Sequence, residues 1–164
     1  MGVQKGVLAA VPGQARYLTF LLNAGTHPRR ALSALAKIAD GETCVVGIGQ
    51  STVAACGAGI DGLREFPGFS GKGFTVPSTP AALWCWLRGG DRGELVHLSR
   101  RIEAALAPAF AAGSVVDAFR HGSGRDLTGY EDGTENPKGR KAVAAAVAKG
   151  SCAGPDGSSF VAVQ

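Results

Sequence analysis

Arg16-Tyr17-Leu18-Thr19-Phe20-Leu21-Leu22 is the stretch from which the fold is read. It is aromatic and apolar and follows Pro12-Gly13, which is how a buried strand begins. Downstream, Thr26 suits an N-cap and Pro28 a first helical turn. Ala31, Leu32, Leu35, Ala36, Ile38 and Ala39 then recur at helical spacing until Asp40-Gly41. Thr43-Cys44-Val45-Val46-Gly47-Ile48-Gly49 reads as a second buried strand, completing one strand–helix–strand unit.

The pattern repeats further along. Ala81-Ala82-Leu83-Trp84-Cys85-Trp86-Leu87 reads as a third strand. Asp91 with Glu94 makes a start like a capping box. Leu95, Leu98, Ile102, Ala105 and Leu106 give an amphipathic helix that Pro108 bends or ends. Ser114-Val115-Val116-Asp117-Ala118-Phe119-Arg120 is a fourth strand. Between the units lies a glycine- and proline-rich excursion, Gln50 to Pro80, opened by a short helix over Ser51–Cys56. The order predicts an α+β fold: a ferredoxin-like split βαβ, with a four-stranded antiparallel sheet and both helices on one face. The other face then needs a partner.

A chain of 164 residues suits one such domain. The net charge of +4 is spread out, with no basic patch interleaved with aromatics, which argues against nucleic-acid binding. The four cysteines, at 44, 56, 85 and 152, form no CxxC pair, so neither a zinc site nor a thioredoxin-like motif is expected. Cys44 and Cys85 sit in apolar runs and read as small buried hydrophobes. No leader or membrane-spanning stretch is legible, and reduced thiols fit the cytoplasm.

The chemistry concentrates in Arg125-Asp126-Leu127-Thr128-Gly129-Tyr130-Glu131-Asp132-Gly133-Thr134-Glu135-Asn136-Pro137. Asp126 and Asp132 are each suited to capping the backbone of a turn. Gly129 and Gly133 flank Asp132 and allow a flat ligand close to the backbone. Asn136-Pro137 closes the loop. Beyond it, Lys141–Lys149 is ambiguous between helix and strand, and Gly154-Pro155-Asp156-Gly157 is a turn. Ser159 to Gln164 reads as an apolar strand, and Gln164 as an artificial, cleaved or premature end.

The 125–137 string resembles "RDLTGFxDGTENP", the GxxDG signature of dye-decolourising (DyP-type) haem peroxidases, with Tyr130 in place of Phe. Phe66-Pro67-Gly68-Phe69-Ser70-Gly71-Lys72-Gly73 and Gly157-Ser158-Ser159-Phe160-Val161-Ala162-Val163-Gln164 are similar to further segments of that family. The resemblance implies a bacterial cytoplasmic peroxidase of the dimeric α+β barrel type, built from two ferredoxin-like halves. Residues 1–164 would be the N-terminal half, including the 125–137 loop, with the C-terminal half absent.

The implied cofactor is haem b, iron protoporphyrin IX. Asp132 would be the distal acid–base, and Glu131, Asp132, Gly133, Thr134 and Glu135 would line the cofactor. Hydrogen peroxide and organic electron donors would be the substrates. The family's proximal histidine and distal arginine lie in the second half, so the missing half or a second subunit is the implied partner, in a homo-oligomer. His27, His97 and His121 read as surface or packing residues rather than iron ligands, and no metal site is expected within the chain. Trp84 and Trp86 read as packing residues of a strand, with Tyr17 and Tyr130 as other aromatics suited to electron transfer. Two other functions fit the same residues. One is a non-catalytic ferredoxin-like module that binds haem or a small ligand as a dimer; the other is haem or porphyrin processing.

Overall fold

The computed structural model describes residues 3–131, 133–150 and 155–163. Four strands form the main sheet: β1 (Gln14–Leu22), β2 (Cys44–Ile48), β5 (Leu83–Gly89) and β6 (Phe110–Phe119). Their order across the sheet is β2-β5-β1-β6, and every neighbouring pair is antiparallel. The first and second units each place a helix between two strands: α1 (Arg29–Leu35) and α3 (Arg92–Leu106). This is the expected ferredoxin-like arrangement.

Period-two alternation decides which side chains meet the helices. Leu18 and Phe20 of β1, Cys44 of β2, and Leu83, Cys85 and Leu87 of β5 are essentially inaccessible. They pack with Ala31 and Leu35 of α1 and with Leu95, Ile102 and Leu106 of α3. Cys44 and Cys85 are therefore core residues, as their apolar settings imply. Their thiols share a hydrogen bond, and that bond and burial together push Cys85 far above an ordinary thiol pKa. The start of α3 is capped as the sequence predicts, with Asp91 Oδ1 accepting from Glu94 N at 2.8 Å. The first helix is not: Pro28 occupies the N-cap without a side-chain bond. The Thr26 hydroxyl instead donates to Asn23 O at 2.7 Å and to Ala109 O at 3.2 Å, tying the turn after β1 to the start of β6.

The opposite sheet face carries Tyr17, Trp84 and Trp86. Tyr17 stacks on both indoles, with centroids 5.9 and 6.2 Å away. The Arg88 guanidinium lies 4.4 Å from the Trp86 ring centre, a cation–π contact. One end of this face is covered by the N-terminal segment. Arg88 Nη1 donates to Gly6 O at 2.8 Å and Nη2 donates to Ala10 O. A side chain at Gly6 would collide with Val45, since its Cβ would stand 2.4 Å from Val45 Cγ2. Gln4 also closes the β2 edge: its amide exchanges hydrogen bonds with Val46 O and Val46 N at 2.9 and 2.8 Å. The indole N–H groups of Trp84 and Trp86 are buried and find no partner among the described residues.

The excursion contains α2 (Gln50–Ala55), as expected, and a hairpin of β3 (Phe69–Gly71) and β4 (Phe74–Val76) that is not legible in the sequence. Gly73 makes its turn with φ +83°. The ambiguous alanine-rich segment is helical, α4 (Arg140–Ala146). The strand expected from Ser159 onward is absent among the described residues: 159–163 has no ladder partner, and Phe160, Val161 and Val163 are exposed. An extended segment without a neighbouring strand has no ladder hydrogen bonds to hold it.

Candidate functional site

The 125–137 loop is delivered by β6, an edge strand. Across from it, β1 and β6 lose register between Leu18 and Phe20. Gly113 fits this bulge, because a Cβ there would stand 2.9 Å from Thr19 Oγ1. The strand ends at Phe119, and Arg120 N donates to Gly13 O at 2.9 Å, the last backbone tie to the β1 side. The loop then leaves the sheet.

Asp126 organises the first part of the loop. Its Oδ1 accepts from Thr128 N at 2.8 Å, from the Thr128 hydroxyl at 2.5 Å and from Tyr130 N at 3.1 Å. Gly129 N donates to Asp126 O, and Asp126 N donates to Tyr130 O, both at 3.0 Å. Arg125 Nη1 donates to Gly129 O at 2.8 Å. The Thr128 hydroxyl, together with the loop amides, holds the Asp126 carboxyl below the usual carboxylate range. One of the two capping aspartates expected from the sequence thus caps its own loop.

Asp132 lies outside the described residues. Its neighbours are placed. Gly129 and Gly133 have φ +86° and +77°, the left-handed region that glycine enters without strain. A side chain at Gly133 would also meet Asn136 Nδ2 at 2.7 Å, so Asn136 packs where a Cβ would be. Asn136 N donates to Gly133 O at 3.0 Å and closes the turn. Glu131, Thr134 and Glu135 are exposed, as are Leu127 and Tyr130. The loop therefore presents Glu131 and Glu135 close in sequence on an open surface, without a wall of other elements around them.

The histidines are dispersed. His27 precedes α1, where its Nδ1 accepts from Arg29 N at 3.3 Å. His97 is exposed on α3, and His121 is exposed just after β6. No group of three or more His, Cys, Asp or Glu suited to a metal ion occurs among the described residues.

Comparison with known proteins bears directly on the loop. The family model described as "Dyp-type peroxidase, C-terminal" matches residues 123–164, which begins just ahead of Arg125. A dye-decolorizing peroxidase of Mycolicibacterium paratuberculosis is 37% identical over 81 residues, covering 49% of this chain and 23% of the relative. One from Brevibacterium linens is 33% identical over 103 residues, covering 63% of this chain and 28% of the relative. A solved structure of a Rhodococcus jostii DypB variant in complex with heme superposes with TM-score 0.69 at 27% identity, covering 84% of this chain and 49% of that one. The chain belongs to the DyP-type peroxidase family. It spans about half of that solved relative and less than a third of these two curated ones. No described helix is long and apolar enough to cross a membrane.

Proposed function

We propose that the chain contributes the distal acid–base to a haem-dependent peroxidase that reduces hydrogen peroxide and oxidises organic donors. One observation carries this reading: the match to the peroxidase family model falls on residues 123–164, which include the aspartate loop. The relatives bearing the same name, and the neighbour solved with heme, support it.

The described loop fits one side of a haem. Gly129 and Gly133 put backbone without side chains beside position 132, which suits the close approach of a flat ring. It does not offer an axial ligand, since His27 and His97 sit on or beside helices and His121 is exposed after β6. In this reading Glu131, Asp132, Gly133, Thr134 and Glu135 line the cofactor, and the axial histidine and a distal arginine come from a second ferredoxin-like half. Residues 1–164, loop included, form the N-terminal half.

Haem, when bound, supplies the iron that takes the peroxide and the electrons that cleave its O–O bond. The Asp132 carboxylate takes the proton from the inner peroxide oxygen and returns it to the outer one, which leaves as water. A carboxylate with an unperturbed pKa near ~3.9 stays basic in mild acid, where a histidine near ~6.5 is protonated. Activity at acidic pH is the expected consequence. The three described free cysteines, 44, 56 and 85, fit a reducing compartment and so a cytoplasmic enzyme.

The test combines this chain with a relative's C-terminal half and haem b, then follows the Soret band and peroxide-dependent bleaching of a dye. Asp132→Ala is expected to keep the Soret band and lose peroxide turnover by about 100-fold or more, the usual weight of one acid–base group. Full turnover in the Ala variant would refute the acid–base role. Turnover by the chain with haem and no second half would refute the two-half requirement.

A further inference from the structure

A cavity of about 230 Å³ opens between the N-terminal segment and the turn after β6. Pro12, Tyr17 and Phe119 give it apolar and aromatic walls, and Arg120, His121 and Arg125 border it. No Asp or Glu lines it. It exists because Arg120 N is tied to Gly13 O at 2.9 Å, which brings the turn against the N-terminal segment. Gly124, with φ +88°, then turns the chain back. Its missing side chain leaves room for the Arg120 stem, since a Cβ there would stand 3.2 Å from Arg120 Cδ.

The charges around this cavity are unanswered. The Arg120 guanidinium makes no ion pair and no hydrogen bond with any described residue. Arg125 commits only Nη1, to Gly129 O. Elsewhere in the chain arginines near the sheet are engaged: Arg16 and Arg92 share Asp117 at 2.7 and 2.9 Å, and Arg88 is spent on carbonyls. Two guanidinium forks beside a hollow without acids form a receptor for an oxyanion, because the planar fork matches a carboxylate in pairs of hydrogen bonds. Tyr17 and Phe119 add faces on which a ring can pack. The volume falls below the ~300 Å³ at which pockets begin to hold drug-sized molecules, which limits the ligand to one ring.

We propose that this cavity binds a single-ring aromatic carboxylate, with Arg120 and Arg125 on the carboxylate and Tyr17 and Phe119 against the ring. The site stands on the chain's own residues and does not depend on the peroxidase reading.

The full chain, without haem, is titrated with benzoate while the Tyr17 and Phe119 ring signals are followed by NMR. Acetate and inorganic phosphate supply charge without a ring, and benzyl alcohol supplies a ring without charge. Benzoate is expected to give saturable shifts, with each of the three controls at least about tenfold weaker, the worth of one good charge-assisted contact. Arg120→Gln is expected to weaken benzoate by about tenfold with an unchanged melting midpoint, since that guanidinium has no internal partner to lose. Arg120→Lys, which keeps the charge but not the fork, is expected to fall between. Benzoate binding equal to acetate, phosphate or benzyl alcohol overturns the proposal. So does indifference to both Arg120 variants, or no saturation below ~10 mM.

Discussion

Two turns in this molecule are built on the same device, and they differ in what lies behind them. At Asp40, Oδ1 accepts from the backbone N–H of Glu42, Thr43 and Cys44 at 2.8–2.9 Å, and Oδ2 accepts from the Thr43 hydroxyl at 2.6 Å. At Asp126, Oδ1 takes two loop amides and the Thr128 hydroxyl. The first turn runs straight into Cys44, which is sealed in the core opposite Leu87. The second runs into a loop whose residues are nearly all exposed. One carboxylate can shape a turn in either place. Only at Asp40 does the rest of the fold depend on it.

The largest way to break the comparison is through the core. Leu87 is fully buried on a central strand and is the register partner of Cys44. Leu87→Ala should cost ~2–5 kcal/mol in urea unfolding, the transfer loss plus the cavity. Hydrogen exchange should then speed at Thr43 and Cys44 in the native state, because the strand that anchors the Asp40 turn loses its neighbour. The amides of Thr128 and Tyr130 should exchange as before. Equal loosening at both turns would show that the loop is coupled to the core after all.

Legibility in the sequence divides along the same line. The strands and the long helix read correctly because burial against a common core imposes period two on one and period 3.6 on the other. The β3–β4 hairpin does not, since three-residue strands that pair only with each other are too short for alternation to register. Thr26 resembles a cap from its position before Pro28, yet two carbonyls at the sheet end compete for its hydroxyl. Ser159–Val163 carries strand residues, but strand propensity acts only where a partner stands alongside. In the loop, the Asp-x-Thr spacing at Asp126 and Thr128 announces the turn, because that contact is local. The chemistry assigned to Asp132, Glu131 and Glu135 is legible only by resemblance, since it depends on groups from elsewhere in the whole protein.

A smaller effect sharpens the Asp40 side. The Asp40 carboxyl is itself disfavoured by partial burial, but the Thr43 hydroxyl and the amides of Cys44, Glu42 and Thr43 outweigh that and lower its pKa from 3.8 to about 2. A carboxyl lowered on folding stabilises the fold above its unfolded pKa and loses that contribution as pH falls through the folded one. The whole shift corresponds to ~2.4 kcal/mol, and exposure to solvent reduces the expectation to about 1 kcal/mol. Asp40→Ala should therefore be less stable than the parent by that amount at neutral pH. The gap should close as the pH is taken from about 4 to about 2, when the parent carboxylate is protonated too. A gap that stays constant into acid would mean that the side chain acts through packing and not through its charge.

The smallest effect belongs to Asp126, and it should not register in global stability at all. Its carboxyl is also held below the ordinary range, first by the Thr128 hydroxyl and then by the amides of Thr128, Tyr130 and Gly129. The linkage has the same sign, so the ordering is complete above ~3.9 and fades as pH falls through the lowered pKa. Only the loop is ordered by it. Asp126→Ala should leave the thermal midpoint where it is, and the Thr128 and Tyr130 amides should lose their protection and their acid titration together. If the amides stay protected in the Ala variant, the backbone pair between Asp126 and Tyr130 suffices to hold the loop. If instead the midpoint drops, the exposed loop is a structural element of the unit and the contrast with Asp40 fails. Between those outcomes, a melted loop on an intact fold would mean that a loop expected to present an acid to a cofactor depends on its own short-range bonds, with the rest of its rigidity left for the cofactor and the second half to supply.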